Sequence, residues 1–140
     1  MSRVFVDSNV PIYAAGAEHP FQAPTRRVLR AIAAGDLQGV TSVEALQEVL
    51  HRYLRRGERD RGLRIFDAFH RAFRGSVLPV DDVDVQRARA LAPVHVALQA
   101  RDLLHLAVME RHGITDIVTA DRHFDGLPGI HRIDPREFLA

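Results

Sequence analysis

Apolar positions along the chain follow two periods, one suited to strands and one to helices. Val4-Phe5-Val6 is a β-branched and aromatic run inside Arg3 to Asp7, and the turn-compatible pair Ser8-Asn9 closes it, which predicts a first strand. Pro24-Thr25 offers a helix start, after which Val28, Leu29 and Ile32 recur at helical spacing until Gly35. Leu37 to Thr41 is a second strand candidate. Ser42 can then cap a helix whose stripe of Val43, Leu46, Leu50 and Leu54 runs to Arg56-Gly57. Arg59 to Arg74 carries Leu63, Phe66, Phe69, His70 and Phe73 and stops at Gly75. Val77 to Val80 reads as a short strand, and Asp82 as the cap of a helix from Val83 to Leu91 that Pro93 breaks. Ala100 to His112, with Leu103, Leu104, Ala107 and Val108 on one face and Gly113 as its stop, is the clearest helix. Ile114 to Thr119 reads as a buried strand, Asp121 to Gly129 as a loop, and Ile130 to Ile133 as a last strand before a short terminal helix. Strands alternating with helices predict an α/β fold, a central and mostly parallel sheet with helices on both faces. The chain has 140 residues, with neither an internal repeat nor a low-complexity linker, and the expectation is a single domain over 1–140.

Composition narrows the classes. No segment approaches the roughly 20 uninterrupted apolar residues of a membrane span, so no membrane association is expected. The beginning, Met1 to Val6, lacks the apolar stretch of a signal peptide and reads as strand. The absence of cysteine excludes disulfides and thiolate-bound zinc and is compatible with a reducing compartment, so a cytoplasmic location is expected. The formal net charge of +1 is no electrostatic case for nucleic acid, yet all 19 basic residues are arginines, with none of them lysine. Several cluster at Arg52, Arg55-Arg56, Arg59, Arg61 and Arg64. Guanidinium forks grip phosphate in bidentate fashion and stack on bases, although solvated helix faces would also explain such a cluster.

Four acids stand out against this map. Asp7 ends the first strand and Asp121 follows Val118-Thr119-Ala120. In open parallel sheets ligands bind beyond the carboxyl ends of the strands. Glu48, one turn after Glu44, and Asp102, in the first turn of its helix, can each present a carboxylate over the same crevice. Carboxylates brought together resist ionisation unless a cation relieves them, and hard divalent cations with oxygen ligands serve hydrolysis at phosphorus. Each acid also has a plain structural role as a cap, a turn former or a solvated helix residue.

In order, these residues resemble the motifs of the PIN-domain family, and within it the VapC-type toxins of toxin–antitoxin pairs. The resemblance covers Val4 to about Pro135. It rests on Val4-Phe5-Val6-Asp7-Ser8-Asn9, on Thr41-Ser42 followed by the helix with Glu44 and Glu48, on Asp102-Leu103-Leu104-His105-Leu106-Ala107 with Gly113, and on Thr119-Ala120-Asp121-Arg122-His123-Phe124. What it implies is a single PIN-like domain and an endoribonuclease dependent on Mg²⁺ or Mn²⁺. By resemblance, Asp7, Asp102 and Asp121 bind the metal, Glu48 binds directly or through water, and Asp125 is an auxiliary acid. Ser8, Asn9 and Thr119 would orient substrate or water. The family expectation extends to RNA as substrate, a cognate antitoxin protein as partner, and a homodimer. Helical surfaces around Val28 to Ala34 and around Leu63, Ile65, Phe66, Phe69 and Phe73 are candidates for antitoxin contact and self-association, with core packing as the alternative.

The sequence departs from the pattern at Leu103, bulkier than the small residue of many relatives, and the choice between Glu44 and Glu48 stays open. His105, three residues after Asp102, is expected to be a packed or hydrogen-bonded helix residue rather than a ligand. Asp81, Asp82 and Asp84 are expected to cap a helix. Rival folds fail on single residues. A dehalogenase-type phosphatase needs Asp-x-Asp after the first strand, whereas Asp7-Ser8-Asn9 stands here, and both a receiver domain and a P-loop need a lysine. A PIN-fold binding module and a housekeeping RNA-processing nuclease remain as alternative functions.

Overall fold

The computed structural model describes residues 2–138; Met1, Leu139 and Ala140, which the expected domain includes, lie outside the described residues. Strand β1 (Val4–Val6) is buried along its whole length because it is the middle strand of a five-stranded sheet. On one side it pairs with β2 (Gly39–Ser42), which pairs in turn with β3 (Val77–Leu78). On the other it pairs with β4 (Asp116–Val118), which pairs with β5 (His131–Ile133). All four pairings are parallel, one step further than the mostly parallel sheet expected. Parallel neighbours require crossovers, and helices supply the long ones. These are α1 (Asn9–Ala15) and α2 (Gln22–Ala33), α3 (Val43–Arg55) and α4 (Arg59–Ala72), then α5 (Asp82–Leu91) and α6 (Ala100–Arg111). Single 3₁₀ turns at Arg122–Phe124 and Pro135–Glu137 flank β5, the second standing where a short terminal helix was expected.

Alternation along β1 builds a core on each face of the sheet. Val4 and Val6 join Val10, Val28, Val49 and Phe73 on one side, while Phe5 joins Leu106, Met109, Ile117 and Phe124 on the other. Burying one such side chain is worth about 1.5–3 kcal/mol, so β1 anchors both layers. Two strands, β3 and β4, are shorter than the runs that predict them. Val77 to Val80 contributes only two residues because Pro79 has no N–H to give the ladder.

Helix α1 was not anticipated. Ser8-Asn9 reads as a turn and Pro11 as a breaker, yet Pro11 falls in the first helical turn, where no intrahelical N–H is required. In α3, Ser42 caps as expected, its Oγ accepting from the Ala45 N–H at 3.3 Å. The buried stripe is nevertheless Ala45, Leu46, Val49 and Tyr53, and the expected members Val43 and Leu54 are 43% and 40% exposed. Close packing against α4 turns that face inward: a Cβ on Gly62 would lie 2.3 Å from the Tyr53 Cβ, so only glycine fits. Phe69 and Phe73 belong to the core, which removes them from the expected partner surface; Leu63 is exposed, and Ile65 and Phe66 are half-buried. Val28 is likewise fully buried. Helix α6 ends as Gly113 foretells. Gly113, at φ +67°, donates to the Glu110 carbonyl and Ile114 to that of Met109, closing the last turn.

Helices α5 and α6 are tied by one buried carboxylate. Asp81, not Asp82, caps α5, and its backbone N–H donates to Asp84 Oδ2 at 2.8 Å. The Arg111 guanidinium donates to both Asp84 oxygens at 2.8 and 2.7 Å. That hydrogen bond holds the Asp84 carboxyl below its usual 3.8 against the opposing effect of burial. A depressed carboxylate contributes stability that is complete above the unfolded value and is lost as pH falls through the folded one. Asp84→Asn should therefore lower stability at neutral pH by about 1–3 kcal/mol. Its deficit should shrink below about pH 4. Urea denaturation across pH measures both effects.

Candidate metal centre and its cleft

The carboxyl ends of β1 and β4 open into a cleft of about 660 Å³ whose lining includes Asp7, Glu48, Asp102 and Asp121. Asp7 follows β1 directly and is 5% exposed. A carboxylate buried this deeply must be hydrogen-bonded. Its Oδ1 accepts from the Ser8 N–H at 2.7 Å, and its Oδ2 accepts from Thr119 Oγ1 at 2.8 Å, with Asn9 Nδ2 at 3.4 Å. Burial alone would raise the Asp7 pKa, but the His105 imidazole, the Thr119 hydroxyl and the Ser8 amide together lower it.

Thr119, just past β4, uses its whole hydrogen-bonding capacity here. It donates to Asp7 and accepts from Asn9 Nδ2 at 2.8 Å and from the Asp121 N–H at 3.0 Å. Asn9 Oδ1 accepts in turn from the Ala120 N–H at 3.3 Å. Ser8 Oγ donates to Glu48 Oε2 at 2.6 Å, which ties α3 to the end of β1. Ser8, Asn9 and Thr119 thus hold the carboxylates in place.

On α6, Asp102 doubles as a capping residue. Its Oδ2 accepts from the Gln99 N–H at 3.1 Å, and the residue lines the cleft. Its carboxyl is raised above the usual range, first by burial and then by the charges of Asp121 and Asp7. Asp121 receives the His123 N–H at 2.9 Å.

One turn along α6 from Asp102, His105 is fully buried. Its Nε2 lies 3.0 Å from Glu48 Oε1 and 3.5 Å from Asp7 Oδ1. These approaches are close but poorly directed: both ring nitrogens and Glu48 Oε1 are buried without an aligned hydrogen-bond partner. Burial favours the neutral ring, yet the two carboxylates prevail and push the His105 pKa up to about 10. The ring therefore offsets part of the acidic charge around it.

Potential ligand atoms fall into two groups within 4.8 Å of one another, Asp7 with Glu48 and His105, and Asp102 with Asp121 and His123. Oxygen-rich donor sets with an unsatisfied buried carboxylate oxygen suit a hard divalent cation. Glu48 lines the cleft and Glu44 does not; burial and then the Glu48 charge raise the Glu44 carboxyl. Asp125 stands apart, outside both groups, its Oδ1 accepting from Arg132 Nε at 2.6 Å. That guanidinium depresses its pKa. His105 is packed, as expected, and its i,i+3 spacing from Asp102 places both on one helix face. His123, read from the sequence only as part of the Thr119–Phe124 motif, carries no periodic signal that marks it as a donor.

A protein-family model described as PIN domain matches residues 4–130. The chain is 41% identical over 130 residues to ribonuclease VapC13 of Mycobacterium tuberculosis, covering 93% of this chain and 98% of that one. Among solved structures, DNA-bound VapBC from Salmonella typhimurium superposes with a TM-score of 0.73 at 20% identity, covering 96% of this chain and 99% of the other. A toxin–antitoxin complex from Klebsiella pneumoniae does so at 0.65 and 19% identity, covering 94% and 97%. At these identities the structures speak for the fold. Among the described residues, no helix is long and apolar enough to cross a membrane.

A carboxyl whose folded pKa is raised costs stability wherever it is ionised, so removing its charge should recover that cost. In metal-free buffer, Asp102→Asn should therefore melt about 2–5 °C above the wild type. Added Mg²⁺ should raise the wild-type melting temperature more than that of the variant. A lower melting temperature with an equal Mg²⁺ gain would remove Asp102 from the centre.

Proposed function

The chain belongs to the PIN-domain family and, within it, to the VapC ribonucleases, and from that premise we propose that it hydrolyses RNA phosphodiester bonds with a bound Mg²⁺ or Mn²⁺. The observation that carries this is the meeting of Asp7, Glu48, Asp102 and Asp121 in one cleft beyond the parallel strands. Asp7, Asp102 and Asp121 would hold the cation, with Glu48 binding it directly or through water. When bound, such a cation acidifies a water and neutralises charge on phosphoryl oxygens.

The chain's own groups do the positioning. Thr119 fixes Asp7 and Asp121 relative to each other through one hydroxyl, and Ser8 fixes Glu48. Asn9 braces Thr119. Arg101, half-exposed and 4.0 Å from Glu48, stands at the mouth, where a guanidinium can meet a phosphate oxygen. Buried His105 serves the acids rather than the substrate.

As a VapC-type toxin, the protein would act on cytoplasmic RNA and be restrained by a cognate antitoxin. The likeness to the Klebsiella complex supports such a partner. Charge complementarity favours an antitoxin arginine entering the acidic cleft.

Purified protein should cleave RNA only with added Mg²⁺ or Mn²⁺. Asp121→Asn should lower the rate by more than about 100-fold, beyond the loss expected for an outer hydrogen-bonding partner of a ligand. Cleavage that persists in chelator would defeat the proposal. RNA binding without cleavage would leave a binding module, and cleavage without growth arrest on overexpression would indicate a housekeeping nuclease.

A further inference from the structure

Away from Asp7, Glu48, Asp102 and Asp121 the cleft lining is richer in arginine, and there Glu58 is taken up by Arg56 and Arg61 at 4.0 and 3.8 Å. Further along the α3 wall stand Arg52 and Arg55, which line the cleft and, among the described residues, have no acidic group within 4.0 Å. By helix rise they lie about 6 and 10 Å beyond Glu48. A single cation would satisfy the α3 dipole, and ion pairing does not account for two unpaired guanidiniums turned into one cleft. Neighbouring cations beside an acidic floor suit a chain of phosphates whose reacting member sits at the acids.

The same lining carries rings. Tyr13 and His19 line the cleft with ring centroids 4.7 Å apart, and Phe21 backs both at 5.2 and 5.8 Å. Arg136 covers Phe21 at 4.8 Å. His19 is exposed, and its Nδ1 accepts from the Phe21 N–H at 3.1 Å. The neutral ring therefore carries its proton on Nε2, the nitrogen left for a ligand. An aromatic pair on the wall of an arginine-lined groove fits a nucleobase, since every base has a face to stack.

We propose that this part of the cleft is the track of a single-stranded RNA, with Arg52 and Arg55 holding phosphates beside the scissile one and the Tyr13–His19 pair stacking an unpaired base. The track presupposes the ribonuclease activity proposed above and adds the residues that select an unpaired nucleotide. A duplex would keep its base faces covered and present only phosphates.

The test is RNA binding in the Asp121→Asn background, which should leave the RNA intact, using short single-stranded RNAs with 2-aminopurine at successive positions. Arg52→Gln and Arg55→Gln should each weaken binding evenly across sequences and flatten the salt dependence of log K by about 0.7. His19→Ala and Tyr13→Leu should weaken it about tenfold, with the salt slope unchanged. They should also abolish 2-aminopurine quenching at one position. Variants with wild-type melting temperatures that retain affinity, slope and quenching would overturn the track, as would arginine variants impaired only in binding a partner protein. His19 is exposed, so its variant tests the platform even if Tyr13→Leu fails to fold. Wild-type protein that cleaves RNA while the variants bind normally defeats the track alone. Wild-type protein that shows these binding signatures without cleaving defeats hydrolysis alone, and one that neither binds nor cleaves defeats both.

Discussion

A carboxylate buried at the end of the central strand has to be satisfied, and the structure around the cleft follows from how Asp7 is. Its hydrogen bonds draw in Ser8 and Asn9 from the start of α1 and Thr119 from the end of β4. His105 approaches it from α6, and Ser8 passes the constraint on to Glu48 of α3. Groups from distant parts of the chain thus meet at one point because β1 is flanked by β2 and β4 in a parallel sheet. The hydrophobic layers supply the stability; the buried charge sets which side chains must come together. Such networks are worth having only if nearly every member is partnered. The atoms that lack directed partners, Glu48 Oε1 and the His105 nitrogens, lie beside the proposed cation position.

Much of this was legible in the sequence where local rules and tertiary packing agree. The run Val4-Phe5-Val6, the Ser42 cap and the Gly113 stop each follow from backbone chemistry and stand as expected. The parallel order followed from the alternation of elements. Illegible features were those set by contacts across the chain. Helix α1 hid behind a turn-like Ser8-Asn9 and a proline, and the buried stripe of α3 depends on Gly62 of another helix receiving Tyr53. At the site, the four acids could be named from their positions relative to strand ends and helix starts. The choice of Glu48 over Glu44 required the helix to be oriented, and the pairing of Asp125 with Arg132 joins two sides of a loop that carries no periodic pattern.

A net charge of +1 conceals a strongly polarised cleft. Asp7, Glu48, Asp102 and Asp121 gather near the ends of β1 and β4, Arg52 and Arg55 lie in the last turn of α3, and Glu58 is paired with Arg56 and Arg61. Net charge averages over this arrangement, whereas a phosphate chain encounters it locally, over a distance comparable to the Debye length of about 8 Å. Repulsion among the carboxylates and attraction for a cation are the same electrostatic fact seen with and without the ligand. Asp102 shows its cost in a raised pKa, and Asp7 shows how neighbouring donors offset that cost.

The central claim is that the Asp7-anchored carboxylates form one divalent-cation site. Calorimetric titration of Mn²⁺ into wild-type protein and into folded Asp7→Asn tests it most directly, since it reads the cation without RNA or catalysis. Wild-type protein should bind Mn²⁺ with saturable heat, and Asp7→Asn should lose affinity by about tenfold or more. Equal affinity in the two proteins would contradict the account.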